Sequence, residues 1–336
     1  MIKALATDSP SSKLKPFEYD PGPLPADVVE IKVEHCGICH SDLSMKNNDW
    51  GMTQYPFVPG HEVVGTISRR GDAVTHLGLG QRVGLGWYSG SCTLCSQCLS
   101  GNQNLCSSHE QTIVGRHGGF ATHVRSQALW AIPIPEGVSA DKAGPLLCGG
   151  ITVFNPLIEC GVKPTDRVGV VGIGGLGHMA LQFLNAWGCE VVAFSSTAGK
   201  ADQAKGLGAH RVVNSRSEAE LSPLSGSLDF IISTVNVDLE WQSYLNCLAP
   251  KGRLHFVGAV PNPVPVAVFP MISKQASISG SPLGSPATTS QMLEFCSRHQ
   301  IAPVVEYFPM SQANEAFEHL EAGKARYRII LQNDLA

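Results

Sequence analysis

Charge is scarce in this sequence. Only 15% of the 336 residues are charged, the formal net charge is −4, and the basic residues do not cluster. Without a basic patch, no stretch is suited to displace counterions from a nucleic acid or to hold an anionic membrane surface. Long hydrophobic runs are also missing, because segments such as Val168–Val171 are far shorter than a bilayer-spanning helix. We therefore expect neither a nucleic-acid partner nor a membrane partner.

The opening segment, MIKALATDSPSSKLKPFEYD, lacks a long apolar core, so it is not a secretory signal. We therefore expect a reducing, cytoplasmic location. The sequence nevertheless contains eleven cysteines, which are not expected to pair as disulfides in such a compartment. Ligation of a metal by thiolates is the better interpretation of their CxxC spacing.

Four of the cysteines are concentrated in the segment SCTLCSQCLSGNQNLC, with gaps of two, two and seven residues. They are Cys92, Cys95, Cys98 and Cys106. Four thiolates this close suit a tetrahedral zinc ion that has no open position, with Zn–S distances of about 2.3 Å. We predict that this lobe, residues 90–107, is a structural zinc site. A zinc ribbon that binds nucleic acid is the alternative, but the segment lacks a basic face.

A chain of 336 residues is long enough for two domains. Up to about residue 150, short alternating runs are interrupted by glycine and proline, which predicts a compact, barrel-like β domain. From about Ile151 onward, strand-like and helix-like segments alternate, which predicts a parallel, doubly wound α/β sheet. The last strand-like segment, RYRIILQ, is expected to return to the first domain. The predicted boundaries are 1–150, 151–285 and 286–336, the last being this return.

A glycine-rich turn follows the apolar strand Arg167–Val171 and opens a helix. It matches the GxGxxG pattern, in which glycines let the backbone approach a pyrophosphate that rests on the amides of the helix N-terminus. GxGxxG alone is a weak signal, but the strand–turn–helix context favours a dinucleotide site over an ordinary turn. The predicted contacts are Gly172, Ile173, Gly174, Gly175, Leu176 and Gly177.

The end of the next strand-like segment selects the cofactor. A carboxylate there would bind the ribose 2′-hydroxyl of NAD, but this sequence has Ser195, Ser196 and Lys200 in the segment FSSTAGK. Hydroxyls and an ammonium group favour a 2′-phosphate, which a carboxylate would repel. We therefore predict NADP(H). The alternative is that the serines form a turn and that Lys200 is solvated.

Three further side chains suit a second zinc ion. Cys39 and His61 precede the four-cysteine lobe, and Cys148 follows it. Two sulfurs and one imidazole would leave one coordination position open for chemistry. Taken singly, each is as well explained as a core residue. The remaining cysteines are interpreted as core or surface thiols: Cys36, Cys160, Cys189, Cys247 and Cys296.

The motifs GICHSD, YPFVPGHEVVG, LLCGGITVF and VGVVGIGGLGHMALQF, together with the four-cysteine lobe, resemble the zinc-dependent medium-chain dehydrogenase/reductase family over nearly the whole chain. The resemblance is greatest to its cinnamyl alcohol dehydrogenase-like, NADP-dependent aldehyde reductase branch. It implies a GroES-like β-barrel catalytic domain, a Rossmann nucleotide-binding domain, NADP(H) and two zinc ions per subunit. It also implies that Cys39, His61 and Cys148 bind the catalytic zinc, with Glu62 as an exchanging ligand beside the metal.

The resemblance implies further roles around this zinc. Asp42 would accept the second ring N–H of His61, unless it is a helix cap or an exposed acid. Ser41 corresponds to the hydroxyl that takes the alcohol proton and passes it toward the nicotinamide ribose, and a cap or turn is the alternative. His40 matches a position near the pyrophosphate, or is simply exposed. Ser44 stands where many relatives have a histidine, so a relay that ends in an imidazole is not expected.

Other positions align with cofactor or substrate contacts of the family. Trp50 and Trp87 fall at the substrate pocket, where they favour flat or apolar substrates, although both could be core residues. Arg328 either reaches a phosphate or is a solvated surface residue. The segment between Cys106 and Gly118 is shorter than in typical cinnamyl-type members, so their specificity does not carry over. The further cofactor contacts implied are Thr152, Thr234, Gly258, Ser281 and Leu283.

We therefore expect an NADP(H)-dependent alcohol dehydrogenase/aldehyde reductase, in which hydride passes between the nicotinamide and the carbonyl carbon while zinc stabilises the developing alkoxide. An NAD-dependent primary alcohol dehydrogenase is one alternative, and a non-catalytic protein that binds zinc and nucleotide is another. Relatives assemble as dimers or tetramers, and a homodimer through the strand near Ala276–Gly280 is the preferred expectation. The substrate is expected to be a small aldehyde or alcohol.

Overall fold

The computed structural model of the protein describes residues 1–196 and 198–335. Thr197, which lies within the predicted cofactor-selecting segment, is outside the described residues, as is Ala336. The chain divides into two compact units. The first unit consists of Met1–Ile151 and Leu283–Ala336, and the second of Thr152–Pro282.

The strands and helices are numbered in chain order. The strands are β1 (Ile2–Ala6), β2 (Lys15–Tyr19), β3 (Val28–Ile38), β4 (Val63–Arg70), β5 (Arg82–Leu85), β6 (Tyr88–Gly90), β7 (Glu110–Gln111), β8 (His123–Gln127), β9 (Ile132–Pro133), β10 (Arg167–Val171), β11 (Glu190–Ser195), β12 (Arg211–Asn214), β13 (Leu228–Ser233), β14 (Leu248–Phe256), β15 (Ser277–Gly280), β16 (Val305–Pro309) and β17 (Arg328–Gln332). The helices are α1 (His40–Asn47), α2 (Ser96–Leu99), α3 (Ala140–Ala143), α4 (Gly149–Glu159), α5 (Gly177–Trp187), α6 (Ala201–Gly206), α7 (Glu218–Leu221), α8 (Trp241–Cys247), α9 (Val268–Lys274), α10 (Pro286–His299) and α11 (Ala313–Glu321). Short 3-10 helices cover Gln103–Leu105, Ala128–Trp130, Gly144–Leu147, Ala198–Lys200, Ser222–Leu224 and Met310–Gln312. Within the part of the chain that the structure describes, no helix combines the length and the apolar character needed to cross a membrane.

The main sheet of the first unit has the order β16-β17-β3-β4-β5-β9, and β8 also pairs with β3. Along β8, buried side chains alternate with half-buried ones, which is the pattern of an antiparallel strand with one face on the core. The long strand β3 is central to this sheet and pairs antiparallel with β17, where Ile38 lies opposite Ile329. The C-terminal strand β17 is therefore part of the same sheet as β3, the strand that directly precedes α1.

The second unit is built on a parallel sheet with the order β12-β11-β10-β13-β14-β15. In β10 the side chains of Val168, Val170 and Val171 are at most 2% exposed, as expected for a parallel strand that helices cover on both faces. The predicted doubly wound α/β sheet is confirmed. Because the strand order runs outward from β10 in both directions, a crevice forms at the carboxyl edge between β10 and β13, the usual place for a ligand in this class of sheet.

One element of the second unit was not predicted from the sequence. A strand was expected near Ala276–Gly280, and β15 is that strand, but the residues just before it form the helix α9. The apolar side chains of Val268, Phe269 and Ile272 on α9 are 62%, 78% and 67% exposed. Since α9 buries none of its residues, it has no apolar stripe facing a core, and the usual helix signal is absent.

Candidate active site

Four potential metal ligands from distant parts of the chain meet in the first unit. The ligand atoms of Cys39, His61, Glu62 and Cys148 all lie within 4.8 Å of one another. The Nε2 atom of His61 is 3.3 Å from Cys148 Sγ, which in turn is 3.8 Å from Cys39 Sγ. Cys39 caps α1 directly after β3, and Cys148 stands just before α4. Two sulfurs, an imidazole nitrogen and a carboxylate oxygen are a donor set that zinc accepts.

Asp42 holds the imidazole of this cluster. Its side chain is fully buried, and Asp42 Oδ1 is 2.9 Å from His61 Nδ1. The same carboxylate accepts the backbone N–H groups of Gly60 and Cys39, at 2.9 and 3.0 Å. Asp42 is therefore both the predicted partner of His61 and a cap of α1, but it is not an exposed acid. With Nδ1–H donating to Asp42, His61 Nε2 is left with its lone pair on the side of the two sulfurs.

The hydrogen bond between the two sulfurs of the cluster shifts their pKa values in opposite directions. Donation by the Cys148 thiol lowers the pKa of Cys39 well below its usual range, although burial opposes this shift. The same hydrogen bond raises the pKa of Cys148 well above its usual range. A zinc ion supplies the positive charge that allows both sulfurs to be thiolates.

Glu62 is fully buried, and only one of its two carboxylate oxygens has an ion-pair partner. Arg328 Nη2 donates to Glu62 Oε1, whereas Glu62 Oε2 is buried without a hydrogen-bond partner among the described residues. Burial raises the pKa of Glu62, and the positive charge of Arg328 opposes that rise. A Cβ atom on Gly37 would overlap the Glu62 carboxylate, so the glycine makes room for it. A buried carboxylate with one unpartnered oxygen, grouped with two sulfurs and an imidazole, fits a bound cation.

The position of Arg328 differs from both expectations drawn from the sequence. It is not a solvated surface residue, because it is only 6% exposed, and it pairs with Glu62 on the metal side instead of reaching for a phosphate. Because Arg328 lies on β17, it contacts Glu62, which precedes it by 266 positions in the sequence. No local pattern in the sequence could have indicated this pairing.

Replacing Arg328 by Met should destabilise the first unit, because it leaves the Glu62 carboxylate buried without its cation. Breaking one partner of a buried pair typically costs about 3–5 kcal/mol, which calorimetry would detect as a lower thermal unfolding midpoint. Arg328→Lys keeps the charge and should lose less. The double variant Arg328→Met/Glu62→Gln should recover most of the loss, since both charges are gone. Equal midpoints for all three variants and the native protein would show that this pair contributes no stability.

Aromatic side chains border the cluster. The ring of Trp87 meets the His61 ring edge-on, with centroids 5.0 Å apart, and the ring of Trp50 meets Trp87 at 6.1 Å. Trp87 is half-buried, whereas Trp50 is 45% exposed, so Trp50 is not a core residue. Ser41 is also nearby, with its Oγ atom 3.7 Å from Cys39 Sγ, while His40 is exposed at the start of α1. Flat apolar surface and one hydroxyl thus adjoin the metal ligands.

The second metal cluster is the four-cysteine lobe. Its four sulfur atoms lie within 4.8 Å of one another, and none of the four forms a disulfide. Backbone N–H groups of Leu94 and Cys95 lower the pKa of Cys92 to about 6, which favours the thiolate that zinc binds. The lobe is also tied to the C-terminal part of the first unit, because Asn104 Nδ2 donates to the Leu283 carbonyl oxygen at 2.8 Å.

The glycine-rich turn of the second unit has the geometry of a dinucleotide loop. Gly172 directly follows β10 and has φ +87°, a conformation that favours glycine. A Cβ atom on Gly177 would overlap the Gly172 carbonyl oxygen. Thr234 Oγ1 donates to the carbonyl oxygens of Val171 and Gly172, at 2.9 and 3.0 Å. The turn therefore leads directly from β10 into α5, and its glycines let the backbone approach a pyrophosphate closely.

The residues predicted to select the cofactor lie beside this turn. Ser195 is buried at the end of β11, Ser196 is exposed, and Lys200 Nζ donates to the carbonyl oxygen of Ile173 at 3.1 Å. The ammonium group is therefore held next to the glycine-rich turn and is not simply solvated. The remaining predicted contacts are distributed as follows: Gly258 after β14 and Ser281 after β15 at the carboxyl edge of the sheet, Thr152 in α4, and Leu283 in the first unit.

Comparison with known proteins agrees with this geometry. Residues 25–136 match the family described as Alcohol dehydrogenase GroES-like domain, and residues 175–298 match the one described as Zinc-binding dehydrogenase. Aldehyde reductase AdhA of Synechocystis sp. is 54% identical over 333 residues, which cover 99% of each chain. The chain belongs to the zinc-dependent medium-chain dehydrogenase/reductase family.

Solved structures place this dehydrogenase in the same branch. A cinnamyl alcohol dehydrogenase from Sorghum bicolor, SbCAD4, is 35% identical with a TM-score of 0.93, over 98% of this chain and 97% of that one. The enzyme described as CAD from Helicobacter pylori complexed with NADP(H) is 29% identical with a TM-score of 0.89, over the same shares. The predicted family, the GroES-like and Rossmann fold and the enzyme class are confirmed. The dehydrogenase is a zinc enzyme with residues for a catalytic and a structural ion.

Proposed function

We propose that this dehydrogenase interconverts aldehydes and primary alcohols with NADP(H), and that reduction of the aldehyde is the physiological direction. One observation carries the proposal, the meeting of Cys39, His61 and Cys148 with the half-partnered carboxylate of Glu62. Relatives described as an aldehyde reductase and as a cinnamyl alcohol dehydrogenase support the reaction class, and a relative described as complexed with NADP(H) supports the cofactor.

Cys39, His61 and Cys148 would hold the catalytic zinc, with Glu62 as an exchanging ligand. When bound, zinc polarises a carbonyl oxygen and lowers the pKa of an alcohol, and NADPH supplies the hydride. Asp42 keeps the Nε2 lone pair of His61 available for ligation. The aromatic side chains beside these ligands provide a surface for the apolar part of a substrate.

Ser41 is the residue that we propose for proton delivery. Its hydroxyl lies 3.7 Å from Cys39 Sγ, so it stands next to a metal ligand and can both donate and accept a proton. Ser44, three residues along α1, occupies the place of the histidine that ends the relay in many relatives. Because a hydroxyl does not titrate near neutral pH, we propose that the proton reaches solvent through water. His40, exposed at the start of α1, is proposed to lie near the pyrophosphate.

The cofactor preference is predicted to depend on Lys200 and Ser195. Lys200→Ala should lower kcat/KM for NADPH about tenfold or more, because a hydrogen bond to a charged group contributes roughly 1.5–3 kcal/mol, and should change kcat/KM for NADH little. Ser195→Asp should shift the preference toward NADH, because a carboxylate repels a 2′-phosphate and binds a 2′-hydroxyl. Lys205→Ala, on the neighbouring helix α6, is the matched control. If the NADPH/NADH ratio of Lys200→Ala and of Ser195→Asp equals that of the control, the 2′-phosphate is not bound here.

A substrate screen with both cofactors tests the proposed function. Aldehydes and alcohols of different size are assayed by the absorbance of the reduced nicotinamide, and zinc is measured on the same sample. Turnover of aldehydes with NADPH and two zinc ions per subunit is the expected result. A strong preference for NADH would instead favour the NAD-dependent alcohol dehydrogenase, and no turnover of any compound would favour a binding protein without catalysis.

We further propose that the dehydrogenase is a cytoplasmic homodimer formed through the β15 edge, around Ala276–Gly280. β15 is the outer strand of its sheet, and the neighbouring helix α9 exposes Val268, Phe269 and Ile272. An edge strand beside exposed apolar side chains is a surface that a second copy covers well. A tetramer is the alternative, and sedimentation analysis distinguishes the two.

A further inference from the structure

A buried histidine links two strands of the second unit at the carboxyl edge of the sheet. His255 is 1% exposed and stands one residue before the end of β14. Its Nδ1 atom is 2.9 Å from Ser279 Oγ, and its Nε2 atom is 2.9 Å from Ser281 Oγ. His255 pairs in register with Ser279 of β15, and Ser281 follows two positions later on the same face. The imidazole therefore fastens the chain at the point where it leaves β15.

The ring is neutral, which determines how it can bind the two serines. Burial lowers the pKa of His255 to about 4, and the positive charge of Arg253 acts in the same direction. A neutral imidazole has one N–H donor and one accepting nitrogen. Near Nδ1 there are two potential donors, the hydroxyl of Ser279 and the thiol of Cys160, whose Sγ atom is 3.5 Å away. With Nδ1 accepting, Nε2–H donates to Ser281, and the hydroxyl hydrogen of Ser281 can be donated to another acceptor.

The strand order places Ser281 under one half of a dinucleotide. The glycine-rich turn that receives the pyrophosphate follows β10, and the residues proposed for the 2′-phosphate follow β11 on one side of β10. The strands β13, β14 and β15 lie on the other side. A dinucleotide that crosses the sheet at the change of strand order therefore extends its nicotinamide half over the carboxyl ends of β13 to β15, which include Ser281.

The residue after Ser281 is held from a different direction. Asn155, which is 3% exposed on α4, has its Nδ2 atom 3.5 Å from the carbonyl oxygen of Pro282. The second unit ends at Pro282, and the chain continues into the first unit from Leu283. Two buried polar side chains thus fix the last two residues of the nucleotide-binding unit, although neither hydrogen bond belongs to the sheet.

We propose that His255 is a positioning residue that sets Ser281 and Pro282 in the conformation required by the nicotinamide ring of the cofactor. The proposal rests on the proposed NADP(H) function. His255 acts through Ser281 and does not itself contact the reacting atoms. The ring of Phe230 stacks on the imidazole with centroids 5.8 Å apart, so an apolar side chain would also pack well at this position of β14. The hydrogen bonds to Ser279 and Ser281 explain why a histidine stands there instead.

The test compares two ligands that differ only in the nicotinamide ring. Binding of NADPH and of 2′-phospho-ADP-ribose, which lacks that ring, is measured by calorimetry on the zinc-loaded protein and on the His255→Leu variant. We expect the variant to bind NADPH about five- to tenfold more weakly, the loss of roughly one hydrogen bond, and to bind 2′-phospho-ADP-ribose within about twofold of the native protein. His255→Gln, which keeps an amide donor, should recover part of the NADPH affinity.

Two serine variants complete the test. Ser281→Ala should reproduce the selective loss of NADPH affinity, and the double variant with His255→Leu should be no weaker than either single one. Ser277→Ala, on the same strand, is the matched control and should leave both affinities nearly unchanged, because Ser277 Oγ accepts from Arg253 Nε at 3.1 Å and is not a partner of His255. Equal weakening of both ligands in His255→Leu would mean a general defect of the sheet, and unchanged NADPH affinity in Ser281→Ala would equally overturn the proposal. Because Ser281 is half-buried, its variant decides the question even if His255→Leu does not fold. Native protein that binds neither ligand would refute the NADP(H) function itself.

Discussion

Cys39→Ala should abolish aldehyde reduction while the protein stays folded. The substitution removes one of three ligands from a site whose sulfurs and imidazole lie within 4.8 Å of one another. Loss of even an outer partner of a metal site typically lowers metal affinity or activity 10–100-fold, so we expect a loss of more than about 100-fold in kcat/KM. Zinc content should fall from two ions per subunit to one, as measured by elemental analysis. The thermal midpoint should change little, because the four-cysteine lobe is intact.

The matched control is Cys36→Ala, which removes a buried thiol from β3, the strand that directly precedes Cys39. Cys36 is not part of either cluster, and burial raises its pKa well above the usual range, so it is an unreactive thiol. Both zinc ions and most of the activity should remain in this variant. Full activity in Cys39→Ala, or loss of the lobe's zinc from it, would contradict the assignment of the catalytic ion.

Cys95→Ala should have the opposite effect. It should lower the thermal stability of the first unit and leave the catalytic activity largely intact. A closed four-thiolate site contributes folding free energy directly, and Asn104 of this lobe also holds the Leu283 carbonyl oxygen. We expect the midpoint of the first calorimetric transition to fall by roughly 10 °C, which corresponds to about 3–5 kcal/mol. Activity measured well below that transition should be largely retained, with one zinc ion left per subunit.

Ser96→Ala is the control for this second experiment, because it changes the neighbouring residue of the same lobe and removes no ligand. Its midpoint and zinc content should match those of the native protein. If Cys95→Ala instead lost its activity with an unchanged midpoint, while Cys39→Ala lost its stability, the two metal assignments would have to be exchanged.

The parts that were predictable from the sequence are those whose physical cause is local. The four-cysteine lobe is one short, contiguous segment, so the spacing of its cysteines alone indicates a closed metal site. The turn from Gly172 to Gly177 is similar, because the strand, the glycines and the helix are contiguous. The apolar composition of strand β10 by itself predicts its burial, because a strand that is covered on both faces requires apolar side chains.

The features that escaped the sequence analysis depend on contacts between distant segments. Arg328 has an ordinary local context, and only the pairing of β17 with β3 brings it to Glu62. Gly37 is needed because Glu62 occupies the space of a Cβ atom. His255 shows its role only when β14 and β15 pair and place two hydroxyls against its ring.

The amino-acid sequence thus sufficed for the fold class, the zinc lobe and the nucleotide turn, because spacing and periodicity encode interactions among neighbours along the chain. The electrostatic environment of the catalytic cluster required the folded protein. A charge or a hydrogen bond acts through space over a few ångströms, and which side chains come that close depends on how the strands pair. For that reason Cys39, His61 and Cys148 could be named from motifs, whereas the cation that balances Glu62 could not.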